Sequence, residues 1–147
     1  MTVNTEAIGT RYEPLTYAVG REKIVEYALA TGETNPLHLD LEAAREAGHA
    51  DVVAPPMFAV VYQARSVAQA MFDPALGIDF ARLVHGEQAF AWRRLVVAGD
   101  ELSTTLTVAD ISEKMEIQFY AFVTESVDAG GEIVCTGTWT NIVRPSP

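Results

Sequence analysis

The stretch Gly32-Glu33-Thr34-Asn35-Pro36-Leu37-His38 sets a carboxylate and an imidazole five residues apart, on a segment that Gly32 and Pro36 force to turn. An acid and a base held close together are the minimum equipment for moving a proton on and off carbon or water. The same residue types could also serve as a helix C-cap glycine, a turn proline and a surface histidine. The flanking elements must therefore decide what the loop is for.

Upstream, Tyr12 to Val19 reads as a short extended segment interrupted by Pro14, which suits an edge or a strand start. From Arg21 to Thr31 the apolar residues Ile24, Tyr27, Ala28 and Leu29 recur at helical spacing, and Gly32 supplies the stop. Downstream, Asp40 reads as the N-cap of a short helix over Leu41 to Ala47, with Gly48 after its end. His49 to Pro56 is irregular. Met57 to Phe72 is the longest helical candidate, apolar nearly all round, which predicts burial on most sides. Pro56 suits a first helical turn and Asp73-Pro74 ends the helix.

Everything after residue 81 reads as strand. Leu83 to Arg94 alternates, with Val84, Phe90 and Trp92 expected on one face. Turns at Ala98-Gly99-Asp100 and Asp128-Ala129-Gly130-Gly131 separate Glu101 to Ile111, a run around Ile117 to Val123, and Ile133 to Val143. One strand, then helices, then four antiparallel strands is an α+β order. The economical packing is a hotdog: a curved five-stranded antiparallel sheet wrapped around the helix at 57–72, in a single domain spanning 1–147. Such a sheet leaves open edges, so a dimer is expected.

Composition narrows the function. The formal net charge of −10 argues against a general nucleic-acid binder and against docking on an anionic membrane. The single Cys135 excludes an internal disulfide and a cysteine-based zinc site; in its apolar strand pattern it reads as a core thiol. No apolar run reaches the ~20 residues needed to span a bilayer, and residues 1–9 lack the features of a signal peptide. A cytoplasmic location is the expectation.

The stretch from Tyr27 to Phe58, YALATGETNPLHLDLEAAREAGHADVVAPPMF, resembles the MaoC-like hydratase/dehydratase family, and LVHGEQAFAWRRLVVAGDELS resembles the sheet of its N-terminal-type dehydratase branch. Family members act on (3R)-hydroxyacyl and trans-2-enoyl thioesters of coenzyme A or acyl carrier protein, and carry G-D-x-N-P-x-H after a helix. The resemblance implies that Glu33 and His38 activate water and shuttle the proton, and that Asn35 holds the loop or contacts substrate. It implies no metal or organic cofactor. It places the thioester oxygen at the N-terminus of the central helix, where unpaired N–H groups favour negative charge. Two positions depart from the family pattern. Glu33 stands where the family has Asp, and Pro55-Pro56 stands where active members have His-Gly, so the oxyanion donor becomes the Met57 N–H. Arg93 and Arg94 are candidates for meeting the phosphates of the thioester carrier. The implied activity is that of an enoyl-thioester hydratase or 3-hydroxyacyl-thioester dehydratase. The alternative is a non-catalytic acyl-thioester-binding subunit of a heterodimeric dehydratase. A hotdog thioesterase ranks lower, because such enzymes often carry a catalytic carboxylate on the central helix and residues 57–72 contain no Asp or Glu.

Overall fold

Strict alternation in the C-terminal half builds one sheet. In the computed structural model, which describes residues 3–146, the strands are β1 (Leu15–Ala18), β2 (Leu83–Trp92), β3 (Glu101–Lys114), β4 (Ile117–Val127) and β5 (Ile133–Val143). They form a five-stranded sheet in the order β1-β3-β4-β5-β2, and every neighbouring pair is antiparallel. The helices are α1 (Arg21–Ala30), α2 (Leu41–Glu46) and α3 (Ala59–Met71), the last entered through a 3-10 turn over Pro56–Phe58. This is the expected α+β hotdog, with the central helix lying on the sheet. Pro56 explains the 3-10 entry: its ring fits a first turn, but Pro55 and Pro56 supply no N–H for a regular α-helical start.

The structure buries the central helix on one face only, against the expectation of burial on most sides. Ala59, Tyr62, Gln63, Ser66, Val67 and Ala70 face the sheet, while Ala64 and Arg65 are exposed. The stripe at i, i+3, i+4, i+7 is amphipathic in location even though small apolar residues populate both sides. Phe58 is fully buried at the helix entrance, where edge-on contacts from Tyr17 and Tyr27 and a tilted contact from Tyr62 surround it at 5.4–6.4 Å.

The edge strand β2 also differs from its sequence pattern. A bulge between His85 and Glu87 accommodates Gly86, where an added Cβ would lie 2.5 Å from Ile142 Cδ1. The extra residue shifts the phase. Leu83 and His85 pair with Val143 and Asn141, and Gln88, Phe90 and Trp92 with Trp139, Gly137 and Cys135; all of these face the helix side. Val84 pairs with Ile142 on the opposite face, so it does not join Phe90 and Trp92. His85 makes an edge contact with Trp139 at 6.1 Å, and Cys135 is fully buried.

The segment before α3 is tied down from two sides. Ala98 N donates to Val52 O at 3.0 Å and Ala54 N to Val96 O at 2.8 Å, making a short two-stranded ribbon. The Arg21 guanidinium grips the Asp51 carboxylate through Nε and Nη2 at 2.8 and 2.7 Å, joining this segment to the start of α1. That contact, with help from the Val52 N–H and Arg45, holds the Asp51 pKa down to about 2. A depressed carboxylate stabilises the fold above its unfolded pKa and loses that contribution as pH falls through its folded one. Arg21 is half exposed, so solvent screening keeps the pair's contribution small. Asp51→Asn is therefore expected to lower the urea midpoint slightly at pH 7. The gap from wild type should narrow between pH 4 and pH 2; a gap independent of pH would contradict this assignment.

Candidate active site

The Gly32–His38 loop is fixed by helix-end chemistry. At the C-terminus of α1, Gly32 adopts φ +76°. Gly32 N donates to Leu29 O at 3.2 Å and Glu33 N to Ala28 O at 2.8 Å. These are the paired bonds of a Schellman motif, and they set Glu33 at its exit. Asn35 Oδ1 then accepts from Leu37 N at 3.0 Å and caps the 3-10 turn Pro36–His38, with Pro36 in the first position. Asn35 thus holds the turn that presents His38. Asp40 Oδ1 accepts from Ala43 N at 2.9 Å and starts α2 as expected.

His38 is buried, and its ring is clamped to the segment that leads into the central helix. Val53 N donates to Leu37 O at 2.8 Å, and His38 Nδ1 lies 2.6 Å from Val53 O. A carbonyl oxygen can only accept, so Nδ1 carries the proton. In the neutral form of the ring the lone pair is then on Nε2. Nε2 points to the Glu33 carboxylate, with Oε2 at 3.9 Å. That is too long for a direct hydrogen bond. The gap is wide enough for a single water to sit about 2.8 Å from each group. Glu33 remains partly open to solvent, while the imidazole is nearly enclosed. The structure therefore brings together the two residues whose types and spacing suggested proton transfer, with Nδ1 turned to the Val53 carbonyl and Nε2 to the Glu33 carboxylate.

Met57 sits in the second position of the 3-10 turn, four residues beyond Val53. Phe58 N donates to Pro55 O at 2.8 Å, and Met57 N–H is among the donors that a helix start leaves without a carbonyl. The two arginines part company. Arg94 pairs with Asp100 at 2.8 Å and with Asp128 at 3.3 Å, contacts that raise its pKa, hold it protonated and balance its charge. Arg93 is exposed and forms no ion pair with any described residue. Of the two, only Arg93 is free to meet an anion.

Three contributors escape sequence reasoning about side-chain types. Val53 acts through its backbone carbonyl, which any residue would supply. Tyr62 and Trp92 read as core aromatics, and Tyr62 is indeed buried, but both line a cavity of about 180 Å³ beside Pro55 and Pro56. A tryptophan near the end of an edge strand was the available signal.

A five-stranded antiparallel sheet carrying a central helix, with an acid and a base on the loop after α1, defines a MaoC-like hotdog domain. A family model described as "FAS1-like, dehydratase domain region" matches residues 6–137, and the chain belongs to that family. A UPF0336 protein of Clavibacter michiganensis subsp. michiganensis is 51% identical over 146 residues, covering 98% of this chain and 97% of its own. Among solved structures, one titled "MaoC-like dehydratase" superposes with a TM-score of 0.84 at 30% identity, covering 95% of this chain and 43% of that one. This chain thus corresponds to less than half of that structure. The truncated HadBC (3R-hydroxyacyl-ACP dehydratase) complex of Mycobacterium tuberculosis superposes with a TM-score of 0.80 at 26% identity, covering 94% and 98%. Among the described residues, no helix is long and apolar enough to cross a membrane.

Proposed function

We propose that this chain is an (R)-specific enoyl-thioester hydratase, or in reverse a 3-hydroxyacyl-thioester dehydratase, working on coenzyme A or acyl-carrier-protein thioesters. The observation that carries this is the His38 ring: Nδ1 is committed to Val53 O, and Nε2 is left as an acceptor facing Glu33. Water held between Nε2 and the Glu33 carboxylate loses a proton to the pair as its oxygen bonds to C3 of the enoyl group. The π electrons move toward the thioester carbonyl, where N–H groups at the helix entrance, Met57 among them, receive the enolate charge. The proton returns to C2 from the same side. One C–O and one C–H bond form, the C2=C3 π bond is lost, and no oxidant or cofactor is consumed.

Glu33→Gln keeps the shape of the side chain and removes its basicity. It is expected to lower the hydration rate of crotonyl-CoA about a hundredfold or more, followed by loss of the enoyl absorbance. Wild-type turnover in this variant would remove Glu33 from the reaction.

A second reading is favoured by Pro56, which puts no N–H at the first position of the helix entrance. On that reading the chain is the acyl-thioester-binding subunit of a heterodimeric dehydratase. The unpaired outer edge of β2 supports an assembly with a second hotdog chain, identical or related, since long open edges invite pairing. This reading predicts no turnover by the purified chain alone and recovery on adding a partner; strong activity of a pure homodimer excludes it.

A further inference from the structure

The His38 ring takes its orientation from one backbone oxygen, Val53 O, so the direction of that carbonyl matters. Residues 52–54 run antiparallel to residues 96–98, with Val53 opposite Val97. In such a ladder alternate residues turn their backbone groups toward the neighbouring strand and away from it. Val52 O accepts from Ala98 N at 3.0 Å and Ala54 N donates to Val96 O at 2.8 Å, so these two face the ribbon. Val53 faces the other way. Its N–H donates to Leu37 O at 2.8 Å, and its C=O lies 2.6 Å from His38 Nδ1. A slip of one residue would turn Val53 into the ribbon and leave the imidazole without this acceptor.

Val97 mirrors Val53 across the ribbon, and both of its backbone groups go to Asp100. Asp100 N donates to Val97 O at 3.1 Å, closing a turn in which Gly99 adopts φ +97°. Asp100 Oδ2 accepts from Val97 N at 3.0 Å. Arg94 fixes this carboxylate with a two-pronged contact, Nη1 to Oδ2 at 2.8 Å and Nη2 to Oδ1 at 3.2 Å. Its Nη2 also reaches Asp128 Oδ2 at 3.3 Å. Asp128 Oδ1 in turn accepts from Gly130 N and Glu132 N, both at 3.0 Å, so the far anchor is the closed turn between β4 and β5. The Arg94 guanidinium, a sequence candidate for phosphate, thus holds the support of the His38 acceptor instead.

We infer that Asp100 is a positioning residue for His38. By receiving the Val97 N–H, it keeps residues 52–54 in the register that turns the Val53 carbonyl to the ring, which places the proton of the neutral imidazole on Nδ1. The consequence for rate rests on the proposed hydration; the consequence for the tautomer does not.

The test labels the histidines of the full chain with nitrogen-15. Ring tautomers are read by long-range proton–nitrogen correlation in alkaline buffer, where imidazole is neutral. His38→Asn identifies the His38 signals among the three histidines. Wild type is expected to carry the His38 proton on Nδ1 alone. Asp100→Ala is expected to give a mixture of tautomers and to lower kcat for crotonyl-CoA about tenfold, with KM moved about twofold at most. Asp100→Asn keeps an oxygen for the Val97 N–H and is expected to restore both readouts. Asp100→Glu keeps the charge for Arg94 but displaces that oxygen by a methylene, and is expected to resemble Asp100→Ala. These two variants decide the matter even if the alanine variant does not fold. A role confined to the ion pair would invert their order, leaving Asp100→Glu intact and Asp100→Asn impaired, and would overturn the inference. So would a wild-type ring protonated on Nε2, or a tautomer that no substitution moves. Hydration by wild type alongside an unmoved tautomer defeats this inference alone. The expected tautomers without hydration by any of the proteins defeat the proposed function and leave this inference standing.

Discussion

Replacing His38 by asparagine will leave a folded protein that hydrates enoyl thioesters at least a hundredfold more slowly. The choice of replacement matters. His38 is buried, and its Nδ1–H serves the Val53 carbonyl at 2.6 Å. Alanine would orphan that carbonyl, at a cost of about 1–3 kcal/mol, and would mix a stability defect with a chemical one. An asparagine amide can still donate near the Nδ1 position but offers no base at the Nε2 position. Thermal unfolding close to wild type, with kcat lowered and KM moved by only a few-fold, is the signature of a lost proton acceptor. Activity retained in both His38→Asn and His38→Ala would show that the imidazole does no chemistry.

The largest stability effect is expected at Gly137→Ala, far from that loop in sequence and chemistry. A Cβ at residue 137 would lie 2.5 Å from Thr124 Oγ1, 2.8 Å from Gln63 Oε1 and 2.9 Å from Phe90 Cε1. These are fixed atoms. Thr124 Oγ1 donates to Gln63 Oε1 at 2.6 Å and accepts from Trp139 Nε1 at 3.0 Å. Gln63 Nε2 donates to Ser126 Oγ at 3.0 Å, which also pairs with Thr104 Oγ1 at 2.7 Å. Gln63, Thr104, Thr124 and Ser126 are all fully buried, so any shift that admits a methyl group strands polar atoms away from water. Overpacking and lost hydrogen bonds together are expected to cost about 2–3 kcal/mol. That corresponds to a melting temperature lower by roughly 5–10 °C for a chain of this size. A change within 2 °C would show that the network yields without loss.

The same region marks what the sequence could convey. Gln63 and Ser66 stand out as polar residues in an apolar helix, but periodicity cannot say whether they face water or the sheet, where β4 hydroxyls meet Gln63 and the Thr104 carbonyl of β3 meets Ser66. Their partners lie 38 to 63 residues away. The order of elements was legible because helical and alternating periods differ sharply along the chain. The phase of β2 was not, because Gly86 is equally at home in a regular strand and in a bulge. Glu33 and His38 were legible as residue types on a turn. The tautomer of His38 was not, since it depends on a backbone carbonyl brought in from residue 53. Arg94 illustrates a third limit: its two carboxylates, Asp100 and Asp128, sit in turns whose closure decides that the guanidinium is already occupied.

The central claim is that Glu33 and His38 together move a proton during hydration of an enoyl thioester. The most direct test follows the absorbance of crotonyl-CoA with the purified chain, alone and mixed with a partner hotdog subunit, for wild type, Glu33→Gln and His38→Asn. The account predicts that absorbance falls with wild type and that both variants lose nearly all of the rate. Undiminished turnover in both variants would contradict it, as would the absence of hydration by wild type both alone and with the partner.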